Sequence, residues 1–191
     1  MNRIIGVAAA LALAGWGPAA AAQDDAGGVQ GSSYVEPSGS TAQPGENPSI
    51  LTQVHQINLA EIQEGKLAEQ NAMSKKVKAY GKTLVRDHEK ADKEVQKEAK
   101  KLGVSLEGEQ AADQGEISQL QGLTGADFDK QFVTDEVAGH QKAISMVKDA
   151  LPQTTNSGEK RVLDHIVPVL KKHLKMAEKL QHEMGQSASA D

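Results

Sequence analysis

The fold is decided by residues 74–103, which read SKKVKAYGKTLVRDHEKADKEVQKEAKKLG. Small and apolar residues recur there at spacings of three and four, the pattern of an α-helix that buries one face. Lys and Glu fill most other positions and favour a solvated outer face. Ser74 can cap the free amides of the first turn, and Gly103 can end the helix. On the apolar stripe of this helix stands one histidine, His88.

The same spacing predicts three further long helices. The first begins at Ser49 and ends near Asn71. The third is expected to be capped by Asp127 and stopped by Pro152, and the fourth to be capped by Ser157. Four amphipathic helices therefore follow one another along the chain.

Connections of a few residues join the first helix to the second and the third to the fourth, so each pair is expected to form an antiparallel hairpin. Residues 104–125 make a longer crossover, with a short helix expected from Glu109 to Leu120. Pro168 lies inside the fourth helix and is expected to bend it. Aromatic residues are only 3% of the chain, and Lys, Glu, Ala, Gln and Leu dominate. The sequence predicts an all-α, antiparallel four-helix bundle with a longer crossover between helices 2 and 3.

The chain divides into four segments. Residues 1–22 have the basic start, apolar run and small residues of a cleaved signal peptide. Residues 23–49 are rich in Gly, Ser, Gln and Pro and are predicted to be a disordered spacer. The bundle is expected over 50–184, and 185–191 form a disordered tail. The apolar run is too short for a membrane span, so no transmembrane segment is expected in the mature chain. The predicted location is the periplasm, with secretion from the cell as the alternative.

Charge and composition narrow the function classes. The net charge is −5, which argues against nucleic acid as a partner. The absence of Cys excludes a disulfide, so the core alone must hold the domain. The sequence contains no Gly-rich phosphate loop or nucleophile motif. An enzyme that uses a single metal ion with an open position ranks last, because nothing in the sequence identifies a substrate pocket or a separate general base. An envelope protein remains a candidate partner, and the sequence leaves the oligomeric state open.

One ionisable residue stands on the apolar stripe of each helix: Glu61, His88, His140 and His173. Burying such groups separately is costly, whereas burying them together around a cation or shared protons makes them tolerable. Height along a helix can be measured from the turn that joins each pair of helices. Glu61 and His88 then differ in height by about 3 Å, and His140 and His173 differ by about 6 Å. The sequence predicts that all four meet in one central layer.

Three imidazoles and one carboxylate suit a single Zn, Cu, Fe or Ni ion. The leading hypothesis is a periplasmic protein that binds one transition metal ion for metal handling or envelope stress tolerance. The alternative is a metal-free structural or protein-interaction module, in which Glu61 accepts hydrogen bonds from the imidazoles.

Four further residues are candidates for the same site. Glu64 could be a fifth ligand, or it could accept a hydrogen bond from a residue that binds the ion. Asp87 and Glu136 could orient imidazoles by hydrogen bonds. Asp87 adjoins His88, however, and is expected to point elsewhere on its helix. Met176 could add a thioether, or simply fill the core. The remaining histidines are predicted to lie on the surface; they are His55, His165 and His182.

Several short motifs resemble those of a bacterial exported family. They are NLAEI at 58–62, GKLA at 65–68, LVRDH at 84–88, FD at 128–129 before His140, and HL at 173–174. The family carries a domain of unknown function, is often labelled "outer membrane protein" and belongs among the ferritin-like folds. The resemblance covers roughly residues 50–182. It implies a ferritin-like four-helix bundle with the four polar residues at recurring positions, and it implies no established activity.

The chain departs from the di-iron pattern of ferritins. That pattern needs four carboxylates and two Glu-x-x-His pairs. Three residues before the site histidines stand Val85, Val137 and Leu170 instead. The sequence therefore argues against a di-iron centre.

Overall fold

The computed structural model describes residues 49–106 and 114–187. Within these ranges there are five helices: α1 (Ile50–Asn71), α2 (Lys75–Leu102), α3 (Gln114–Gln121), α4 (Gly125–Ala150) and α5 (Ser157–Ser187). The four long helices are the predicted ones, and α3 lies in the crossover. None of these five is long and apolar enough to cross a membrane. The predicted signal peptide and all of the spacer except Ser49 lie outside the described residues.

The ends of α1 and α2 follow the prediction. The Ser49 hydroxyl accepts from the amide of Thr52 at 3.1 Å, and that of Ser74 accepts from the amide of Lys76 at 3.2 Å. Gly103 ends α2 with a φ of 68°, a left-handed conformation that glycine adopts at little cost.

Two predicted caps are wrong. α4 begins at Gly125 after Thr124, so Asp127 lies inside the first turn, where its charge favours the positive end of the helix dipole. Asn156 rather than Ser157 caps α5, because its side-chain oxygen accepts from the two amides that follow Ser157, at 2.8 and 3.2 Å. Asn156, directly before the first turn, therefore has the capping role that the sequence predicts for Ser157.

Two predicted boundaries also shift. α5 continues to Ser187, three residues beyond the boundary predicted at 184. α3 begins at Gln114 rather than at Glu109, and residues 107–113 lie outside the described ranges.

The long helices form two antiparallel hairpins that pack together. α1 packs against α2 and α4 against α5, while α2 contacts α5 and α1 contacts α4. Lys76, at the start of α2, lies 2.8 Å from Glu183 near the end of α5, and Glu98 near the end of α2 lies 3.6 Å from Arg161 near the start of α5. These helices therefore run antiparallel, and the chain needs the longer crossover to pass from α2 to α4. The predicted bundle is confirmed.

α1 and α2 approach each other closely at two glycines. A Cβ atom on Gly65 would lie 2.8 Å from the carbonyl oxygen of Gly81, and one on Gly81 would lie 2.7 Å from that of Gly65. Backbone contact of this kind leaves no room for a side chain at either position unless the helices shift apart. It brings Glu61 and Glu64 on α1 close to the α2 face that carries His88.

Two apolar clusters make up the core. The first contains Leu51, Val54, Val95, Ala99, Ala143, Ile144, Val147, Val162, Leu163, Ile166 and Leu170. The second contains Ala68, Ala72, Val77, Tyr80, Leu84, Leu120, Phe128, Phe132, Val133, Ala177 and Leu180. Every long helix contributes to both clusters. Between its two contributions each helix places buried polar residues, so a polar layer separates the two apolar clusters.

Candidate metal centre

The polar layer contains the four residues singled out from the sequence. Glu61 is 7% exposed, His88 1%, and His140 and His173 0%. On α2, for example, His88 lies between Leu84 of the second cluster and Val95 of the first. The structure thus brings together one residue from each long helix.

The three imidazoles face one another. Their ring centroids are 5.1 Å apart for His88 and His173, 5.4 Å for His140 and His173, and 5.9 Å for His88 and His140. Each offers one nitrogen within 4.8 Å of the other two. Because metal–nitrogen bonds are about 2.0–2.1 Å long, ligand atoms on one ion lie roughly 3–4 Å apart. Small movements of the rings would suffice to hold an ion.

Each imidazole has one nitrogen directed at an oxygen atom. His88 Nδ1 lies 2.9 Å from Asn58 Oδ1, His140 Nδ1 lies 3.0 Å from the Glu136 carbonyl oxygen, and His173 Nε2 lies 3.0 Å from Asp87 Oδ2. The other nitrogen of each ring is buried and has no hydrogen-bond partner among the described residues. These three are His88 Nε2, His140 Nε2 and His173 Nδ1. Metal-ligating histidines are commonly held in this way, through the nitrogen that does not bind the ion.

Glu61 lies at one side of the imidazole group. Its Oε1 is 3.5 Å from His140 Nδ1, and its Oε2 is 3.9 Å from His88 Nε2. Glu61, Glu136 and His140 form a second buried group whose ligand atoms lie within 4.8 Å of one another. A carboxylate is therefore close to two of the three imidazoles.

Glu136 lies under His140 on the same helix. Its Oε2 is 3.3 Å from His140 Nδ1 and accepts a hydrogen bond from the Tyr80 hydroxyl at 3.0 Å. Burial, reinforced by the charges of Glu61 and Glu64, raises the pKa of Glu136 well above its usual range. A proton on Glu136 would limit the negative charge of the layer.

Burial also keeps the imidazoles neutral. It lowers the pKa of His140 to about 4 and that of His88 well below its usual value, where the other two imidazoles lower it further. Burial lowers the pKa of His173 as well, although the hydrogen bond with Asp87 opposes the shift. Because a protonated imidazole has no lone pair to donate, these lowered pKa values keep the rings able to bind a metal at neutral pH.

Asp87 contacts the site from α2, but through His173 rather than His88. Burial tends to raise the pKa of Asp87, but hydrogen bonds from Arg86, Lys172 and His173 hold it well below the usual range. Lys172 Nζ lies 2.9 Å from the same Oδ2 that His173 approaches. Asp87 therefore links α2 to α5 through His173 and Lys172.

The other two candidates occupy different surroundings. Glu64 is buried, and its charge contributes to the raised pKa of Glu136. Met176 is half-buried and packs against the second apolar cluster. Core filling accounts for the position of this thioether.

The three remaining histidines differ from one another. His165 and His182 are exposed, as predicted. His55 is half-buried, and its Nδ1 lies 2.6 Å from Oδ1 of the buried Asp92. The surface prediction for His55 is wrong because α2 places a carboxylate opposite it.

Sequence reasoning missed two residues of the layer, Asn58 and Tyr80. Asn58 is 1% exposed, and it stands three residues before Glu61 and four after Val54. That spacing places it on the buried stripe, so a search for any polar residue there would have found it. Tyr80 lies beside the stripe residue Gly81, and the sequence gives no comparable signal for it.

The chain belongs to the family described as "Domain of unknown function (DUF4142)", whose model matches residues 35–180. No curated protein matches it significantly. Similar solved structures include CopM in a Cu(I)-bound form, at 17% identity and a TM-score of 0.61 over 70% of this chain and 93% of that one. The Cu(II)-bound form has 17% identity and a TM-score of 0.59, and the match covers 71% of this chain and 95% of that one. An Ag-bound form has 17% identity and a TM-score of 0.58, and the match covers 70% of this chain and 93% of that one. At this identity the likeness shows a shared fold.

Proposed function

We propose that this DUF4142 protein binds one transition metal ion in its polar layer and serves metal handling in the bacterial periplasm. The ligands are His88, His140 and His173, with Glu61 as the fourth. The observation that carries the proposal is the set of three buried imidazole nitrogens that have no hydrogen-bond partner among the described residues.

A bound cation accounts for this arrangement better than a metal-free network. A polar atom that loses its hydrogen bond to water on burial, and gains no other partner, destabilises the fold by about 1–3 kcal/mol. Three such nitrogens lie close together here, one on each of α2, α4 and α5. A single ion would satisfy all three, whereas Glu61 lies near only two of the rings.

Copper is the metal we favour. Imidazole and carboxylate ligands suit Zn, Cu, Fe and Ni, and among divalent ions such a site binds Cu(II) most tightly. The similarly folded CopM structures contain Cu(I), Cu(II) or Ag. The valines and leucine that replace the Glu-x-x-His pairs disfavour a di-iron centre. The leader-like sequence of residues 1–22 supports a periplasmic location.

The test is metal titration of chelator-treated protein. An ion present at about 100 times its Kd should stabilise the bundle by about 2.7 kcal/mol, which corresponds to a Tm increase of roughly 5–10 °C. His140→Ala should abolish the increase with Cu(II). His165→Ala is the matched control, because His165 is an exposed imidazole outside the layer, and it should respond like the wild type. If Cu(II), Zn(II) and Ni(II) all leave the wild-type Tm unchanged at neutral pH, the proposal is wrong.

A further inference from the structure

We infer that Asn58 and Asp87 are positioning residues that select which nitrogen His88 and His173 present to the centre of the layer. Together with the Glu136 carbonyl, they would direct binding through Nε2 of His88, Nε2 of His140 and Nδ1 of His173. Metal binding through these nitrogens rests on the proposed function, whereas the positions of the imidazole protons apply to the metal-free protein as well.

The chemistry of the acceptors fixes two of the three rings. A backbone carbonyl can only accept, so His140 Nδ1, 3.0 Å from the Glu136 carbonyl oxygen, must carry the proton. The Asp87 carboxylate also only accepts, so His173 Nε2 must be the protonated nitrogen at 3.0 Å. In a neutral imidazole the other nitrogen then has a lone pair. In both rings that nitrogen is buried and has no hydrogen-bond partner among the described residues.

Asn58 completes the set at His88. Its Oδ1 lies 2.9 Å from His88 Nδ1, and both residues are 1% exposed. An amide oxygen accepts, so His88 carries its proton on Nδ1 and presents the Nε2 lone pair. This tautomer is the less populated one for histidine in water, and it therefore needs a partner to hold it.

The three rings are held by acceptors of different charge. The acceptor at His173, Asp87, is anionic and itself accepts a hydrogen bond from Lys172 at 2.9 Å. The acceptor at His88, Asn58, is neutral. The acceptor at His140 is a backbone carbonyl of α4. A side-chain substitution can remove the first two, whereas the carbonyl remains. His140 can therefore serve as an internal reference in variants of the other two sites.

The experiment is long-range proton–nitrogen NMR of imidazole-labelled, metal-free protein at pH 7.5, which identifies the protonated nitrogen of each ring. The wild type should show Nδ1–H for His88 and His140 and Nε2–H for His173. Asn58→Leu should move His88 alone towards Nε2–H, while Asn58→Asp, which keeps an acceptor oxygen, should leave it at Nδ1–H. Asp87→Leu should change His173 alone, and Lys172→Gln, which keeps the acceptor, should not.

Copper affinity gives a second measurement. Asn58→Leu and Asp87→Leu should each weaken Cu(II) binding by about 10–100-fold, the usual effect of losing such a partner. An Nε2–H signal for His88 in the wild type, or an unchanged tautomer in both leucine variants, would overturn the inference. Should the leucine variants fail to fold, the wild-type tautomers and Asn58→Asp still decide it. Correct tautomers in a protein that binds no metal would refute the proposed function and leave the positioning role standing.

Discussion

Acid should destabilise the metal-free protein because burial weakens the affinity of folded His140 for a proton. Burial lowers the pKa of His140 to about 4, whereas an unfolded histidine titrates near 6.5. Between these values the unfolded chain binds more protons than the folded one, so the free energy of unfolding falls as the pH falls. The stability linked to His140 is complete above about pH 6.5 and is lost progressively towards pH 4.

The size of the effect follows from the two pKa values. Between pH 7.5 and pH 5.0, His140 alone should lower the free energy of unfolding by about 2 kcal/mol. His88 and His173 act in the same direction, because burial lowers the pKa of each. Glu136 acts in the opposite direction, because its raised pKa makes the folded state hold a proton that the unfolded state releases. A comparison with a variant at residue 140 is therefore needed to isolate one group.

The assay is urea unfolding of wild type and His140→Gln at both pH values, with a chelator present. Glutamine does not titrate, so the wild type should lose about 2 kcal/mol more than the variant between pH 7.5 and 5.0. His165→Gln, at an exposed position, should follow the wild type. Equal pH dependence in wild type and His140→Gln would refute the argument that burial suppresses protonation of His140.

Three further predictions concern the packing and the ends of the helices. Gly65→Ala should lower the free energy of unfolding by about 1–3 kcal/mol, because the new Cβ would lie 2.8 Å from the carbonyl oxygen of Gly81. Gly139→Ala is the control, since a Cβ there would have no atom within 4 Å, and it should be neutral or stabilising. Thermal melts measure both. Asn156→Ala should cost about 1 kcal/mol in urea unfolding, and Ser157→Ala clearly less. Asp129→Ala removes the acceptor of two amides in the α1–α2 loop, at 3.0 and 2.8 Å, and should speed their hydrogen exchange at least tenfold, for a loss of about 1.4 kcal/mol.

The polar layer could be predicted from sequence because helix periodicity fixes which residues share a face. Glu61, His88, His140 and His173 each interrupt an apolar stripe, and their distance from the turns sets their height. Both quantities depend on a regular rise and pitch, which a buried helix keeps. The structure accordingly places all four between the two apolar clusters.

The partners of the imidazoles could not be predicted in the same way. Asp87 adjoins His88 in sequence, yet it contacts His173, because the contact depends on how α2 is rotated against α5. His55 is half-buried for a similar reason, since Asp92 faces it across the α1–α2 interface. Periodicity gives the face of one helix, whereas these contacts depend on the relative rotation of two.

The hydrogen bonds of the three imidazoles bear on whether a metal ion or a proton occupies the polar layer. If each imidazole gives its one N–H to Asn58, the Glu136 carbonyl or Asp87, no proton remains among the three inward nitrogens. Three lone pairs then face one another, and no donor among the described residues hydrogen-bonds to any of them. Protonation of a ring could supply one, but burial lowers the pKa of all three. A metal ion satisfies the lone pairs without this penalty, and it would join α2 of one hairpin to α4 and α5 of the other.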